Sequence, residues 1–361
     1  MATLPGTFLE EVPQLVKLDV KDKKLLSALS INVRLTPTYL GSLIGLSKDS
    51  VRYRIKKLQS EGIILGNALV INPFALGLKF YSIFLRVTNL TSEEEIQLLQ
   101  FLMHHPFTIW CGIVSGEWDI AIHLFCKDST HFNAILKEIK TMCGTNFVDA
   151  MYLENVVMYN YGHLPAQYRK DNNILPASAR MDTSFQVLFR NNINSSKDNI
   201  ASLDVFDKQI LKLLAENPGT SIATISEKLK VSFDTVKNRI SHLISNKLIV
   251  GFYPLLKFTS IGLQAYVIFI ETSTPEEDIK FKEYIATHPN GIYILKSNGE
   301  WDWHLYVAVY NHYDFYKLLR ELRSIFSYYI KRYSTLAVVQ DFKFSFVPDG
   351  VKQHILADSN L

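Results

Sequence analysis

Apolar residues between positions 19 and 61 recur with the spacing of three short α-helices. Val51, Ile55 and Leu58 lie four and three residues apart, and shorter apolar groups at 25–29 and 40–44 show the same period. This spacing places the side chains on one face of a helix. The pattern therefore predicts three amphipathic helices in close succession, each with one face turned towards a shared core.

Residues that begin and end helices stand at the matching positions. Asp19 precedes the first helix and an acid, Asp22, follows three residues later, which is the capping-box arrangement. Thr36, followed by a proline, and Ser47 fit the N-caps of the second and third helices. Gly45 is expected to end the second helix. Two helices joined by a short glycine-containing turn predict a helix-turn-helix, and the β-like run through residue 71 predicts a wing beside it.

Beyond residue 73 the pattern alternates between the period of a strand and that of a helix. Strands are predicted at 79–87, 107–114, 121–125 and 148–158, with helices opening near Ser92 and Ser129. This βαββαβ order is typical of a ferredoxin-like fold, whose open sheet face must be covered.

The same order of elements returns in the second half of the chain. The copies at 18–159 and 203–347 match at an offset of 185 residues in their helical first part and of 183 residues in the later part. In that later part Gly116-Glu117-Trp118-Asp119 returns as Gly299-Glu300-Trp301-Asp302. A two-residue difference between matched blocks is what a surface loop tolerates, so the pattern indicates a tandem duplication. The second copy predicts helices from Pro275 and Tyr313, and Lys230 stands where the first copy has Gly45. Two ferredoxin-like units in one chain can cover each other.

These patterns predict an α+β chain of five parts. They are a winged helix-turn-helix at 1–72, a ferredoxin-like domain at 73–164, a linker at 165–202, a second winged helix-turn-helix at 203–257 and a second ferredoxin-like domain at 258–349. The linker is rich in Asn, Ser and Lys and is long enough to leave the docking of the second copy unrestricted. The apolar stretch from Phe185 to Phe189 is expected to form a strand laid on a domain.

Composition excludes several classes of protein. Of the 361 residues, 48% are hydrophobic and 20% are charged, which is typical of an ordinary globular protein. Residues 1–17 lack the basic start of a secretory leader, and no apolar run approaches the roughly 18 residues that span a bilayer. Cys111, Cys126 and Cys143 form no Cys-x-x-Cys pair and are expected to be buried hydrophobes in a reducing cytoplasm.

The helix-turn-helix regions of the two copies differ in net charge. The net charge of +3 is too small to indicate a nucleic acid partner by itself. Between residues 18 and 66, however, nine basic side chains oppose four acidic ones, whereas between 203 and 251 seven oppose five. Five of the nine basic residues lie on the third helix, the one that a major groove admits.

The outward face of this helix is the predicted DNA-binding surface. Its main residues are Lys48, Ser50, Arg52, Tyr53, Lys56 and Lys57, and a weaker second surface consists of Thr235, Lys237, Asn238 and His242. Arg54 and Arg239 lie on a flank, where a phosphate contact and a brace within the domain are both open. A basic face that is merely solvated is the alternative for the whole surface.

The arrangement resembles the Lrp/AsnC, or feast/famine, family of transcription regulators. The residues that carry the resemblance are Arg54-Ile55-Lys56-Lys57-Leu58, Gly62-Ile63-Ile64 and both Gly-Glu-Trp-Asp turns. The second copy departs from the pattern at Asn246-Lys247-Leu248, where the glycine is missing. The resemblance implies a pseudo-dimer within one chain, with two DNA-binding heads and two RAM-type domains.

The resemblance also implies partners. They are double-stranded DNA, a small metabolite such as an amino acid, and further copies of the chain in a higher oligomer, with no cofactor and no membrane. The implied effector-binding residues are Ser115, Gly116, Glu117, Trp118 and Asp119 in the first copy and Asn298, Gly299, Glu300, Trp301 and Asp302 in the second.

Two other functions remain open. Some relatives of the family are tetrapyrrole enzymes, the siroheme decarboxylases, and His123 and His304 just after the turns could be mistaken for catalytic groups. A non-specific architectural DNA-binding protein is the other alternative. We expect no enzyme, no catalytic residue and no metal site, since His104, His105 and His288 stand at helix ends before prolines, where capping or solvation is the ordinary role.

Overall fold

The computed structural model of the chain describes residues 15–161, 164–171, 187–190, 202–274 and 278–357. It is α+β, with two helix-turn-helix regions that are each followed by a βαββαβ unit. The predicted fold class is confirmed.

The first head consists of three helices and one strand. The helices are α1 (Val20–Leu29), α2 (Pro37–Ile44) and α3 (Lys48–Ser60), and the strand is β1 (Ile64–Ile71). The predicted caps are confirmed: Asp19, Thr36 and Ser47 each accept a hydrogen bond from a backbone N–H in the first turn. Gly45 ends α2 with a φ of +69°, which is the left-handed conformation that glycine adopts most easily.

The βαββαβ unit of the first copy follows. It contains β2 (Lys79–Val87), α4 (Ser92–His104), β3 (Thr108–Ser115), β4 (Ile120–Cys126), α5 (Ser129–Cys143) and β5 (Phe147–Tyr161). A short helix, α6 (Ala166–Asp171), and a strand, β6 (Val187–Arg190), lie within the segment predicted as linker. β6 pairs with β5, so the strand expected at Phe185 to Phe189 is confirmed from 187 onwards, and its first two residues lie outside the described chain.

The second copy repeats the order. Its elements are α7 (Val205–Glu216), α8 (Ile222–Leu229), α9 (Phe233–Ser245), β7 (Ile249–Leu256), β8 (Gln264–Thr272), α10 (Ile279–Thr287), β9 (Gly291–Asn298), β10 (Trp303–Val309), α11 (His312–Ile325), β11 (Ile330–Phe344) and α12 (Asp349–Ala357). Lys230 ends α8 with a φ of +54°, so it takes the conformation of Gly45 despite its side chain. Pro275, the expected start of α10, lies outside the described residues, and Asp278 caps the helix.

The two units close into one ring of strands. The order is β2-β4-β3-β11-β8-β10-β9-β5, and a further pairing of β5 with β2 joins the ends. The two longest strands make this closure. β5 pairs with β2 of its own unit and then with β9 of the other, while β11 pairs with β8 and then with β3. Each unit therefore covers the open sheet of the other.

The predicted wings pair with each other. β1 and β7 form a two-stranded antiparallel sheet in which Ala68 lies opposite Tyr253. The sequence predicted a wing beside the third helix, and it did not indicate that the strand edge also finds a hydrogen-bonding partner in the other copy. The two heads are thus joined directly.

Candidate nucleic-acid interface

The exposed face of α3 carries the residues predicted to bind DNA. Lys48, Arg52, Tyr53 and Lys56 are exposed, while Ser50 and Lys57 are half-buried. Tyr53 has 70% of its surface accessible, so its ring and hydroxyl are free to contact a partner. The inward stripe of Val51 and Leu58 holds this face outward, since both side chains are completely buried.

The corresponding face of α9 is exposed too, but its chemistry differs. Lys237, Asn238 and His242 are exposed and Thr235 is half-buried. At the first turn α9 presents Phe233, 50% exposed, at the position where α3 presents Lys48. The second face therefore has fewer cations to offer a phosphate backbone.

Arg54 and Arg239 hold their own heads together. The Arg54 Nη1 atom lies 2.7 Å from Asp19 Oδ2 and 2.6 Å from Asp22 Oδ1. Arg239 makes the same pair of bridges, 2.5 Å to Asp204 and 2.9 Å to Asp207. Hydrogen bonding to Asp19, and then to Asp22, raises the pKa of Arg54 above its already high ordinary value. Of the two roles left open by the sequence, the geometry favours the brace.

Two further basic residues of the first head serve its structure. Lys21 donates from Nζ to the carbonyl of Ile44 at 2.5 Å, which caps the C-terminus of α2. Arg34 donates to the carbonyls of Pro218 and Thr220 in the second head, both at 2.8 Å. The net charge of the head therefore overstates what is available to DNA, and the available cations lie mainly on α3.

The Gly-Glu-Trp-Asp turns lie where the two copies meet. Gly116 has a φ of +143°, and a Cβ there would stand 2.8 Å from the side chain of Leu336 on β11. Gly299, with a φ of +144°, has the same relation to Leu153 on β5. Each turn thus packs on the last strand of the other copy, and glycine is required by both the backbone conformation and the close approach.

The side chains of these turns have partners within the protein. Asp119 accepts from the backbone N–H of Val87 at 2.9 Å, and Asp302 accepts from that of Thr272 at 2.7 Å. In the first copy, Arg86 stacks on Trp118 and forms a salt bridge with Glu117. In the second copy, Arg332 stacks on Trp301 and forms a salt bridge with Glu300. Ser115 and Asn298 are exposed beside them. The ten predicted effector residues therefore form two matching clusters, in which the two tryptophans are buried and the two glutamates are exposed.

The interior of the ring holds a polar chain that the sequence did not indicate. Ser82 Oγ lies 2.7 Å from His123 Nδ1, and His123 Nε2 lies 2.7 Å from the hydroxyl of Tyr306 in the other copy. The amide of Asn155 donates to Ser82 at 2.8 Å. Burial, reinforced by His304, lowers the pKa of His123 well below its ordinary value, so the imidazole is neutral. The 183-residue offset, which aligns His123 with Tyr306, was the available clue.

His304 lies beside this chain without joining it. Its ring centroid is 6.3 Å from that of His123, the residue is completely buried, and neither ring nitrogen has a hydrogen-bond partner among the described residues. Burial lowers its pKa to about 3. Both histidines are thus core residues, and three surface cavities of about 450, 350 and 420 Å³ are lined by neither of them.

The cysteines, possible metal ligands and apolar helices also bear on the expectations from the sequence. Cys111, Cys126 and Cys143 are buried and unpaired, as the sequence predicted. In the described part of the chain no three His, Cys, Asp or Glu side chains converge on a metal-sized site, and no helix has the length and apolar character needed to cross a bilayer.

Comparison with known proteins identifies the heads. The model of the AsnC-type helix-turn-helix domain matches residues 18–59 and 203–244, which are α1–α3 and α7–α9 with their caps. The transcriptional regulator LrpA of Pyrococcus abyssi is 31% identical over 112 residues, covering 30% of this chain and 77% of that protein. This chain belongs to the Lrp/AsnC family. It is a tandem duplication of the family's unit, with one helix-turn-helix match in each copy.

Other Lrp/AsnC relatives match in the same way. The HTH-type transcriptional regulator PH0140 of Pyrococcus horikoshii is 27% identical over 150 residues, covering 41% of this chain and 94% of that protein. Matches that span most of a relative but less than half of this chain are expected for a duplicated Lrp/AsnC member.

A solved structure resembles this Lrp/AsnC chain over nearly its whole length. The siroheme decarboxylase NirDL covers 93% of this chain and 97% of its own, with a TM-score of 0.55 and 12% sequence identity. At that identity the likeness concerns the fold alone.

Proposed function

We propose that the chain is a sequence-specific DNA-binding transcription regulator whose main contact with DNA is the exposed face of α3. The observation that carries the proposal is the group of cationic side chains on that face, with Lys48, Arg52 and Lys56 all exposed. Such side chains donate to phosphates and to base edges when a helix lies in the major groove.

The proposed site on DNA is asymmetric. A homodimer with exchangeable heads reads a palindrome, but here α3 and α9 present different side chains from one covalent frame. The pairing of β1 with β7 supports a fixed spacing between the heads, because it joins them without a flexible connection. We expect half-sites about one helical turn, or a multiple of it, apart.

Fluorescence anisotropy with DNA selected from a random library tests the proposal. Replacing Lys56 and Lys57 together by alanine should weaken binding to every sequence. The slope of log affinity against log salt concentration should also become less steep. We expect a change of up to about 1.8, which is about 0.9 for each lost phosphate contact. Replacing Lys137 and Lys280, which are exposed on the outer helices α5 and α10, removes the same charge away from the heads and serves as the control.

Three outcomes of this experiment lead to different conclusions. No binding to any DNA in dilute buffer would contradict the regulator. Binding without a preferred sequence would favour an architectural protein. Equal effects of the head pair and the control pair would mean that net charge, and not α3, is responsible.

A small metabolite, such as an amino acid, is proposed to act at the two Gly-Glu-Trp-Asp clusters. Their position where the copies meet supports this, because a ligand there touches both copies and can change how they sit together. Calorimetry with the twenty amino acids checks it, and Glu117→Gln with Glu300→Gln should reduce any heat observed.

A tetrapyrrole enzyme is the second candidate. The observation in its favour is the full-length fold likeness to NirDL, a siroheme decarboxylase. Against it stands the burial of His123 and His304, which are 2% and 0% exposed within the described part of the chain, so neither ring is accessible to a large planar substrate there. Addition of siroheme to the purified protein tests this candidate: a bound tetrapyrrole shifts its Soret band and stays with the protein through gel filtration, whereas an unbound one does neither.

A further inference from the structure

We infer that the cavity between the two heads and the ring of strands is a binding site for a small organic carboxylate with an apolar body, anchored by Lys343. The cavity has a volume of about 450 Å³, which lies within the range of ligand pockets. It is distinct from the Gly-Glu-Trp-Asp clusters, because none of their residues lines it.

Five parts of the chain line this cavity. They are β1 of the first head, Leu255 of β7, the end of α7 in the second head, the end of α4 at Met103 and His104, and the chain from Phe342 to Lys352, which ends β11 and begins α12. A ligand here would touch both heads and the ring at once. The apolar side chains of Leu65, Leu69 and Phe344 line it and suit a hydrocarbon or aromatic body.

Lys343 supplies the positive charge. It is half-buried, and its Nζ donates to the carbonyl of His105 at 3.1 Å. No carboxylate lies within ion-pair distance of this ammonium among the described residues, and desolvation lowers its pKa to about 8. A half-buried ammonium whose hydrogen-bond partner among the described residues is a neutral carbonyl gains most from an anion placed beside it.

The other charges of the lining favour a single negative charge on the ligand. Lys352 is already paired with Asp349 at 3.0 Å, and Glu216 adds a second carboxylate to the wall. With Asp349 neutralised by Lys352, the carboxylate of Glu216 is left with Lys343 in the lining, and it repels a dianion such as a phosphate monoester more than a carboxylate. The site is therefore assigned to a monocarboxylate.

The first copy does not repeat this chemistry. At the 183-residue offset, Lys343 corresponds to Asn160 and Asp349 to Ala166. The first copy thus lacks a lysine at the equivalent position of β5, and we expect one such site in each chain. A single ligand bound in this site would contact β1 of the first head and α7 of the second, and could therefore act on both heads.

Calorimetry with 4-bromophenylacetate tests the site without DNA. We expect one molecule to bind per chain, its uncharged amide to bind at least tenfold more weakly, and phenyl phosphate to bind more weakly than the carboxylate. Lys343→Met should abolish binding, while Lys137→Met on the outer helix α5 should not change it. Stronger binding of phenyl phosphate would overturn the choice of a carboxylate, and equal binding of the amide would overturn the role of the cation.

A measurement on the unaltered protein covers the case in which Lys343→Met fails to fold. Acetic anhydride should acetylate Lys343, and 4-bromophenylacetate should slow that reaction at least fivefold without slowing acetylation of Lys137, as measured by mass spectrometry. Absence of both the calorimetric binding and this protection would overturn the site.

Control of DNA affinity from this cavity rests on the proposed function, but ligand binding does not. If 4-bromophenylacetate binds and DNA affinity shifts at least threefold, the cavity communicates with the heads. If it binds and DNA affinity is unchanged, only the communication is wrong. If the protein ignores DNA altogether, the proposed function fails while the ligand site stands.

Discussion

The two heads of this chain share a frame and differ on their surface. Both have three capped helices, a buried stripe on the third helix and an arginine bridged to two aspartates of the first helix. Yet α3 presents Lys48 and Lys56 outward where α9 presents Phe233 and Ser241. The two copies thus agree in the residues that the fold needs and differ in residues that are exposed to solvent.

The interior of the ring shows the same divergence under tighter constraint. His123 of the first copy corresponds to Tyr306 of the second, and these two residues now hydrogen-bond to each other. His304 corresponds to Ala121, so its bulk and polarity have no equivalent in the first copy. An outward residue can change freely, whereas an inward change must fit a neighbour that has also changed.

The largest expected effect comes from breaking the arginine–aspartate brace that each head contains. Arg54→Met leaves Asp22, 1% exposed, without its cation and should lower the free energy of unfolding by about 3 kcal/mol. Arg239→Met should cost less, about 2 kcal/mol, because Asp207 is more accessible. Urea denaturation measures both. Arg52→Met, two residues away and exposed, is the matched control, and an equal loss there would refute the brace.

The next effect is the pH dependence of stability that buried His304 contributes. The pKa of His304 is lowered to about 3 in the folded protein, against about 6.5 unfolded, so its neutral form favours folding at neutral pH. Stability is lost as pH falls below the unfolded value, by about 2 kcal/mol at pH 5 for this one group.

His304→Leu should therefore reduce the loss of stability between pH 7 and pH 5 by about 2 kcal/mol. The leucine fills an apolar surrounding and removes two ring nitrogens that lack partners. Denaturation curves at the two pH values measure it. His242→Leu on the exposed face of α9 should leave the pH dependence as it is, and the burial argument does not survive if both variants behave alike.

Transferring the lysines of α3 to the equivalent positions of α9 tests whether the difference in charge explains a difference in DNA binding. Phe233→Lys with Ser241→Lys gives α9 the charge pattern of α3 and should raise DNA affinity by about tenfold at low salt, with a steeper salt dependence. Anisotropy measures it, with Asn133→Lys and Thr130→Lys on α5 as the control of equal charge. A gain no larger than that of the control would mean that α9 does not lie on the DNA.

The smallest effect concerns the turn between the second and third helices. Gly45→Ala forces a Cβ into the left-handed region and should cost about 1 kcal/mol, whereas Lys230→Gly relieves the same strain and should gain up to about 1 kcal/mol. Thermal unfolding of the two variants should move in opposite directions. A loss in both would show that Lys230 contributes contacts that outweigh its backbone strain.

Much of the fold followed from local patterns. The caps at Asp19, Thr36 and Ser47 were predictable because a cap depends on residues within one turn of it. The βαββαβ order followed from the change of period along each copy. The candidate DNA surface was predictable as a helix face, but the use of Lys21, Arg34 and Arg54 inside the protein was not, since their partners lie 23 to 186 residues away in sequence.

The duplication, the helices with their ends and the apolar face of each helix were all predictable from the order of residues. Neighbours within a few residues decide the helices, and matching blocks reveal the duplication, so both can be read along the chain. The pairing of β1 with β7, the closure of the ring by β5 and β11, and the contact of His123 with Tyr306 became known from the folded chain. A strand edge or a buried polar group can satisfy its hydrogen bonds with many partners, and the choice depends on the packing of the whole molecule.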